Sequence, residues 1–309
     1  MENNIDSIVL SGGGPIGLYQ LGALYCLKEK GFINNLKNIF SCSAGSICAA
    51  IFCLGYDKEE IFKYLIERPW ENVFEIKLSQ MVSFYNNKGL FDINFFEIII
   101  NSLLLGKSLS TDITLKEFYE FTNIKIYFHT AELISLKIEV VSHENYPDLP
   151  LIKAIYMSSA IPMVFSPCFY NEKCFVDGGL LNNYPLSTYF EKYPKNVNNV
   201  IGFRGKKKKK YKIAKINSNN NVCDLLSLYI NHFANKIKSK KKFDLKYEIE
   251  FNSGAINEKE FISVITCKEE REKYLNDGYK EGVIFLEKHK LENINNINSY
   301  IDISNNNDI

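Results

Sequence analysis

Two consecutive strand–turn–helix units near the start of the sequence constrain the fold of this chain more than any other feature. The first begins with the β-rich residues 7–10, passes through a run of glycines, and enters a helical pattern whose apolar residues recur every three or four positions. The second begins with residues 38–41, turns sharply at residues 43–45, and continues as a small, apolar run that ends at Gly55. Strands that alternate with helices in this way predict an α/β fold with a mostly parallel central sheet.

The alternation continues through the middle of the chain. Residues 124–128 and 136–141 are predicted strands, residues 149–159 are a predicted helix, and residues 174–176 are a short predicted strand. Apolar residues make up 46% of the 309 residues and charged residues make up 24%, which is typical of globular proteins. A chain of this length can bury a large core.

The first glycine turn, Gly12-Gly13-Gly14-Pro15-Ile16-Gly17, lies between a predicted strand and a predicted helix. Glycines let an anion approach the backbone amides closely, and the helix start adds partial positive charge. This geometry suits either a phosphate cradle for a nucleotide or an oxyanion hole for an acyl intermediate. Tight strand–helix packing without a ligand also explains it. The nucleotide interpretation requires an acidic residue after the next strand, where this chain has a serine.

That serine is Ser43, in the segment Ser41-Cys42-Ser43-Ala44-Gly45. The segment is similar to the G-x-S-x-G nucleophile elbow, in which small neighbours allow a strained strand-to-helix turn that exposes the serine hydroxyl. Ser41 takes the place of the first glycine of that pattern and adds one hydroxymethyl group. The alternative interpretation is that Ser43 is only the N-cap of the following helix.

An activated serine needs a base. The four histidines, at positions 129, 143, 232 and 289, lie outside glycine turns, although His129 directly follows a predicted strand. Asp177 follows a short apolar strand and precedes Gly178 and Gly179, so the turn places a carboxylate at a strand end. The alternative is an ordinary Asp-Gly turn. If Asp177 is the base, its carboxylate must lie within roughly 3 Å of the Ser43 hydroxyl.

Taken together and in this order, the three motifs resemble those of the patatin-like phospholipases. The family's G-G-G-x-[KR]-G loop corresponds to residues 12–17, its G-x-S-x-G elbow to residues 41–45, and its D-G-[GA] aspartate to residues 177–179. Residues 158–165 (SSAIPMVF) and 177–185 (DGGLLNNYP) are also similar to family segments. The resemblance covers about residues 5–190.

The resemblance implies a three-layer α/β/α fold and hydrolysis of acyl esters of phospholipids or neutral lipids. It implies that Ser43 is the nucleophile and Asp177 the base, and that a glycine loop with Gly12, Gly13, Gly14 and Gly17 forms the oxyanion hole. The amides of Gly13 and Gly14 are the expected donors, and Ser41, Gly45, Gly178 and Gly179 are the expected supports of the two turns. No metal or organic cofactor is implied.

The chain departs from the family pattern at two positions. Ile16 stands where many members have Arg or Lys, and Ser41 stands in place of the elbow glycine. Neither change removes Ser43 or Asp177. The departures leave open a second interpretation, in which the protein is a lipid-binding or regulatory pseudoenzyme of the same fold with little turnover.

Three segments are predicted along the chain. Residues 5–190 form the catalytic core, residues 191–291 form a helix-rich C-terminal extension packed on that core, and residues 292–309 form a flexible Asn-rich tail. Within the extension, residues 223–238 and 269–288 have amphipathic helical patterns.

Charge and composition indicate the partners. The net charge is +1, so nothing suggests nucleic acid. The chain has no signal-peptide pattern, no run of about 18 apolar residues, and eight cysteines without a CxxC pair, so we expect a soluble intracellular protein. Contact with a membrane or lipid surface is expected to be peripheral. A lysine run at residues 206–210, with further lysines at 238 and 240–242, is either a basic docking patch for anionic lipid or a solvated surface loop.

Overall fold

A computed structural model of the protein describes residues 4–73, 78–194, 196–206, 243–252 and 263–305. The helices and strands that it describes are, in chain order, β1 (Ser7–Leu10), α1 (Ile16–Glu29), β2 (Asn38–Cys42), α2 (Ala44–Cys53), α3 (Lys58–Glu67), α4 (Leu78–Asn87), β3 (Gly89–Phe91), α5 (Asn94–Gly106), α6 (Leu115–Thr122), β4 (Lys125–Glu132), β5 (Lys137–Val141), α7 (Leu151–Ser159), β6 (Met163–Phe165), β7 (Cys168–Tyr170), β8 (Lys173–Asp177), α8 (Gly179–Asn182), α9 (Leu186–Lys192), β9 (Val200–Gly205), β10 (Tyr247–Phe251) and α10 (Lys268–Asn305).

The central sheet has the strand order β10-β9-β1-β2-β4-β8-β7, with β5 also paired to β4. The strands from β10 to β4 in that order run parallel to one another, and β8 and β5 run antiparallel to β4. The prediction of a mostly parallel sheet is therefore confirmed. Strands β3 and β6 form a separate two-stranded sheet.

Strand β4 brings two other strands together end to end. Residues 128–132 of β4 pair with β5 along one edge. The same strand pairs with β2 at residues 125–129 and with β8 at residues 130–132. Because β5 occupies one edge, β2 and β8 must share the other. Since β2 is parallel to β4 and β8 is antiparallel to it, their carboxyl ends point at each other beside residues 129 and 130.

Helices cover both faces of the sheet. Successive strand residues point to opposite faces, so Val9, Phe40 and Tyr127 pack against α9 in one buried cluster. Their neighbours Ile8 and Ile39 belong to a much larger cluster with helices α1, α2, α3, α5, α6, α7 and α10. The predicted three-layer α/β/α arrangement is confirmed.

The C-terminal region is part of this fold. Strand β9 pairs with β1 between the edge strand β10 and the rest of the sheet, so the sheet continues across the predicted boundary at residue 190. Helix α10 packs along α1, and the Arg271 guanidinium donates hydrogen bonds to the carbonyls of Ile66 and Arg68 at the end of α3. Residues 191–291 are therefore not only helical. The predicted helix at 223–238 lies outside the described residues.

Helix α10 also extends further than expected. It continues to Asn305 and so includes most of the Asn-rich segment 292–309, for which flexibility stays a prediction. Propagation of a helix adds one hydrogen bond for each residue that becomes ordered, so an established helix can extend into residues of modest helix propensity.

Two glycines allow α1 and α10 to approach closely. A Cβ atom on Gly22 would lie 2.1 Å from the Leu275 carbonyl oxygen, and one on Gly278 would lie 2.1 Å from the Tyr19 carbonyl oxygen. Both contacts are with backbone, which cannot move aside.

We therefore expect Gly22→Ala to lower the free energy of unfolding by at least ~2 kcal/mol, although alanine favours an isolated helix by ~1 kcal/mol. Urea unfolding measures this change.

The matched control is Gly282→Ala on the same helix pair. A Cβ atom there would lie 2.8 Å from the Cys26 Cβ and 3.3 Å from the nearest backbone atom, the Ala23 carbonyl oxygen, so the overlap is smaller than at Gly22. We expect a smaller loss of stability in this variant. A Gly22→Ala protein as stable as the unmodified protein would contradict the close α1–α10 packing.

Candidate active site

Ser43 occupies a strained turn between β2 and α2. Its backbone has φ 54° and ψ −126°, a combination that is rare for any residue other than glycine. A backbone of this kind costs on the order of 1–3 kcal/mol and persists only where surrounding contacts impose it. The side chain is only 6% exposed. Ser43 thus has the geometry predicted for a nucleophile elbow, and it stands at the start of α2, where the helix dipole adds partial positive charge.

Buried serines hold this turn in place. The Ser43 amide donates to both the carbonyl oxygen and the hydroxyl of Ser158 on α7, at 3.2 and 3.1 Å. The Ser158 hydroxyl donates to the His129 carbonyl oxygen at 2.7 Å and lies 2.8 Å from the Ser46 hydroxyl. The Ser46 hydroxyl in turn donates to Ser41 at 3.0 Å. Ser41, in place of the elbow glycine, is therefore accommodated as a buried hydrogen-bond acceptor rather than as an obstacle to the turn.

Asp177 lies directly beside Ser43. The Ser43 hydroxyl donates to Oδ2 of Asp177 at 2.5 Å, at the short end of the usual range for a hydroxyl bonded to a carboxylate. The other carboxylate oxygen, Oδ1, accepts the Gly179 amide at 2.6 Å. Asp177 is 5% exposed, and its backbone amide donates to the Ala160 carbonyl oxygen. The distance that the sequence analysis required of the Ser43–Asp177 pair is present.

The glycine loop lies beside Ser43 and Asn183. The Gly12 amide donates to the Asn183 carbonyl oxygen and the Gly17 amide donates to the Gly14 carbonyl oxygen. These two amides are therefore engaged within the protein. In the described part of the chain, the amides of Gly13 and Gly14 form no such bond, so they are the members of the predicted set that remain able to bind an oxyanion. Gly14 has φ 51°, which favours glycine at this position.

Glycine is required for steric reasons at the two turns. A Cβ atom on Gly45 would lie 2.8 Å from the Leu10 carbonyl oxygen, and one on Gly178 would lie 2.3 Å from the His129 carbonyl oxygen. On Gly12, a Cβ atom would lie 2.8 Å from the Ser43 Cβ. The side chain of Asn183 fills the remaining space and donates to the Gly12 carbonyl oxygen at 3.0 Å. Side chains at these glycines would push the three motifs apart.

Ile16, the other departure from the family pattern, lies beneath the loop. It is 4% exposed and belongs to the main core. A Cβ atom on Gly13 would lie 2.7 Å from its Cδ1 atom. Ile16 therefore supports the glycine loop by packing and brings no charge to it.

None of the three histidines within the described residues takes the position of Asp177. His129 is fully buried on β4, and its Nδ1 lies 3.2 Å from the Ser41 carbonyl oxygen. Burial lowers the pKa of His129 to about 4, so the ring is neutral at neutral pH. His143 stacks on Tyr119, with ring centroids 4.0 Å apart. His289 lies beside Tyr247, near the β10 edge of the sheet.

An apolar cavity opens beside the glycine loop. Its volume is about 160 Å³, and its walls include Gly14, Gly17, Ala44, Ile47 and Trp70. Ala44 directly follows Ser43, so the cavity begins next to the elbow. Two residues that precede α10 and one in its first turn also line the cavity, namely Val264, Ile265 and Arg271. The C-terminal region thus contributes to the surroundings of the site.

Sequence reasoning missed the supporting residues of the site. Ser46, Ser158 and Asn183 have no unusual spacing of their own, although Ser158 and Asn183 lie in segments that resemble the family.

No cluster of three metal-binding side chains occurs among the described residues. No described helix has both the length and the apolar character needed to cross a membrane. The seven described cysteines form no disulfide bond with one another.

The model of the patatin-like phospholipase family matches residues 8–189 of this chain. That range covers more than half of the sequence and contains all three motifs. The chain belongs to the patatin-like phospholipase family.

Individual proteins are similar over the same region. A protein described as a probable lipid hydrolase, 463L of Invertebrate iridescent virus 6, is 34% identical over 183 residues, which cover 58% of this chain and 61% of the viral protein. Triacylglycerol lipase 4 of Saccharomyces cerevisiae is 27% identical over 227 residues, which cover 63% of this chain and 23% of the yeast protein. The matches thus span less than two thirds of these relatives.

Among solved structures, VipD from Legionella pneumophila has a similar fold. The TM-score is 0.56 at 18% sequence identity, over 93% of this chain and 67% of VipD. Because the alignment includes nearly the whole chain, the likeness extends beyond residue 190.

The buried, neutral state of His129 predicts how stability depends on pH. The unfolded chain binds a proton at His129 below its ordinary pKa of about 6.5, whereas the folded protein resists it until about pH 4. Acid therefore favours the unfolded state through this window. We expect His129 to account for a loss of about 2 kcal/mol of stability between pH 7 and pH 5.

Urea unfolding of the unmodified protein and of His129→Gln at the two pH values measures this contribution. The variant lacks the titrating ring, so its stability should fall by about 2 kcal/mol less over the same interval. Equal pH dependence in the two proteins would contradict the assignment of His129 as a buried, neutral side chain.

Proposed function

We propose that this protein hydrolyses fatty acyl esters of lipids, as a phospholipase A or lysophospholipase does, with Ser43 as nucleophile and Asp177 as base. The observation that carries the proposal is the 2.5 Å hydrogen bond from the Ser43 hydroxyl to the Asp177 carboxylate. A serine hydroxyl becomes an effective nucleophile when an adjacent base accepts its proton. Membership in the patatin-like phospholipase family and the similarity to a probable lipid hydrolase support a lipid ester as the substrate.

In the first step, the Ser43 oxygen attacks the ester carbonyl carbon while Asp177 accepts the hydroxyl proton. The tetrahedral intermediate collapses, the ester C–O bond breaks, and Asp177 returns the proton to the departing oxygen. The lysolipid or alcohol leaves an acyl group on Ser43. In the second step, Asp177 takes a proton from water as the water oxygen attacks the acyl carbon. In the collapse of the second intermediate, the bond between the acyl carbon and the Ser43 oxygen breaks, the fatty acid leaves, and Asp177 returns its proton to Ser43.

The glycine loop supplies the stabilisation of both intermediates. The amides of Gly13 and Gly14 are the donors whose hydrogen-bonding capacity is not used elsewhere in the described protein. A single donor of this kind typically contributes ~3 kcal/mol to the transition state. The strained backbone of Ser43 and the buried hydroxyls beneath it keep the nucleophile aligned, so little reorganisation is needed during reaction.

The apolar cavity suits the acyl chain. Gly14 and Ala44, the residue that follows Ser43, both line it, and its walls are almost entirely apolar. An acyl chain placed there would leave its carbonyl group near the glycine amides. Burial of each methylene group contributes ~0.8 kcal/mol, so a cavity of this kind favours long acyl chains over acetate.

Replacement of either member of the pair tests the assignment. We expect Ser43→Ala and Asp177→Asn each to lower kcat/KM for a p-nitrophenyl ester and for phosphatidylcholine by at least about 10³-fold, because nucleophile and base act as a unit. Both substitutions preserve shape closely, so circular dichroism and the melting temperature should show folded proteins. Labelling by a fluorophosphonate probe should disappear in Ser43→Ala.

Ser159→Ala is the matched control. Ser159 is a buried serine next to Ser158, and its hydroxyl has no hydrogen-bond partner among the described residues. Its removal should leave activity within about twofold. Normal turnover in Ser43→Ala or Asp177→Asn would exclude the proposed pair. A folded, unmodified protein that neither hydrolyses esters nor reacts with the probe would favour the lipid-binding alternative.

A second variant tests the acyl cavity. Ile47 lies on α2 and lines the cavity, so Ile47→Trp fills part of it. We expect the ratio of kcat/KM for decanoate to that for acetate esters to fall about tenfold, the effect of excluding roughly two methylene groups. The control is Ile284→Trp on the exposed side of α10, where the isoleucine is 56% exposed. An unchanged ratio in Ile47→Trp would place the acyl chain elsewhere.

A further inference from the structure

The turn between β4 and β5 has an unusual composition. It consists of Leu133, Ile134, Ser135 and Leu136. Turns of this kind usually contain glycine, asparagine, aspartate or serine. Here the three aliphatic side chains are 40%, 76% and 40% exposed, in chain order. We call these three residues the apolar tip.

The apolar tip is held rigidly by the residue before it. The Glu132 carboxylate accepts the amides of Ile134 at 3.0 Å and Ser135 at 2.7 Å, and it also accepts the Cys174 amide of β8 at 3.4 Å. Leu136 has φ 51°, a left-handed conformation that is unfavourable for leucine. A strained backbone with a dedicated carboxylate is a preformed feature, and its ordering costs nothing further when the side chains bind another surface.

The tip lies at the same end of the sheet as Ser43 and Asp177. Strand β4 runs parallel to β2, and Cys42 pairs with His129, so β4 continues past the end of β2. Thr130 pairs with Asp177. Leu133 is three residues further along, which corresponds to about 10 Å of extended strand. The tip therefore lies beyond the carboxyl end of β2, on the side of the Ser43–Asp177 pair where β4 continues next to β8.

Other exposed apolar residues continue this surface. Phe169 on β7 is 61% exposed and pairs with Cys174, whose carbonyl oxygen accepts the Leu133 amide. Ile161 is 39% exposed and follows Ala160, whose carbonyl oxygen accepts the Asp177 amide. Exposed apolar groups thus extend from the tip to the immediate surroundings of Asp177.

The charges around the tip do not form a basic patch. The Glu132 carboxylate is satisfied by backbone amides and is 5% exposed as a residue. The exposed neighbours Lys137 and Glu172 have opposite charges. Contact with another surface at this point would therefore depend on apolar burial and not on attraction between charges.

We propose that the apolar tip, with Phe169, inserts into the surface of a lipid bilayer and brings the Ser43–Asp177 site to its substrate. This inference rests on the proposed function, because a bilayer would supply the lipid substrate of the Ser43–Asp177 pair. A bilayer fits better than a second protein chain. The four side chains expose a few hundred Å² at most, whereas a stable dimer interface buries about 800 Å² per partner.

The test uses the full chain and vesicles of phosphatidylcholine, which have no net charge. We expect the double variant Leu133→Ser/Ile134→Ser to bind the vesicles at least tenfold more weakly than the unmodified protein in a flotation assay. Binding of the unmodified protein should be the same in 0.1 and 0.5 M NaCl, roughly 10 and 4 Å of Debye length. The rate at which the double variant hydrolyses soluble p-nitrophenyl acetate should stay within twofold of the unmodified rate. Ile284→Ser, at the β10 edge of the sheet, is the matched control and should bind normally.

A second variant gives a positive signal that does not depend on loss of binding. Ile134→Trp should show a blue-shifted emission on addition of vesicles and quenching by brominated phosphatidylcholine. The natural chain has a single tryptophan, Trp70, which lines the acyl cavity, so the emission of the unmodified protein with the same vesicles is subtracted as background. Absence of both changes, or undiminished binding of the double serine variant, would overturn the proposal.

The remaining outcomes separate the two proposals. Binding that disappears in 0.5 M NaCl would indicate a basic docking patch instead of the tip. A change from dimer to monomer in the double serine variant, with vesicle binding unaffected, would assign the tip to a protein interface. Tip-dependent binding by a protein without esterase activity would reject the proposed hydrolysis but keep the docking surface. Esterase activity with tip-independent binding would reject the docking surface alone.

Discussion

The pairing of two strands with one edge of β4 is the constraint on which the candidate site depends. Strand β2 pairs in parallel with residues 125–129, and β8 pairs antiparallel with residues 130–132. Backbone hydrogen bonds of the sheet therefore place the carboxyl ends of both strands next to each other. Ser43 follows β2 and Asp177 ends β8, so the sheet itself brings the hydroxyl and the carboxylate to 2.5 Å.

The rest of the site maintains a turn that is unfavourable by itself. The backbone of Ser43 costs on the order of 1–3 kcal/mol, and a typical hydrogen bond contributes about 1 kcal/mol. The two bonds from the Ser43 amide to Ser158, together with the Ser46 amide bond to the Ser43 carbonyl oxygen, are of the size needed to offset that cost. Glycines at positions 45 and 178 allow the backbones to approach closely enough for these bonds to form.

Much of this arrangement was predictable from local patterns. The strands at residues 7–10 and 38–41, the helix near 149–159 and the three motifs are local features, because hydrophobic periodicity and turn residues act over a few positions. The supports of the site were not predictable in the same way. Ser158 and Asn183 look like ordinary polar residues in sequence, and their roles depend on partners 115 and 171 positions away.

The predicted boundary at residue 190 also shows the difference between local sequence patterns and contacts between distant segments. Composition changes there, so the sequence suggested a helix-rich extension packed on the core, yet β9 belongs to the sheet itself and pairs with β1. By itself the sequence determined the alternation of strands and helices, the family, and the candidates Ser43 and Asp177. Only the tertiary structure decided that the two side chains are hydrogen-bonded, which amides of the glycine loop remain available, and that β9 and α10 belong to the same fold. These outcomes depend on contacts between distant segments, and such contacts form only when the whole core packs.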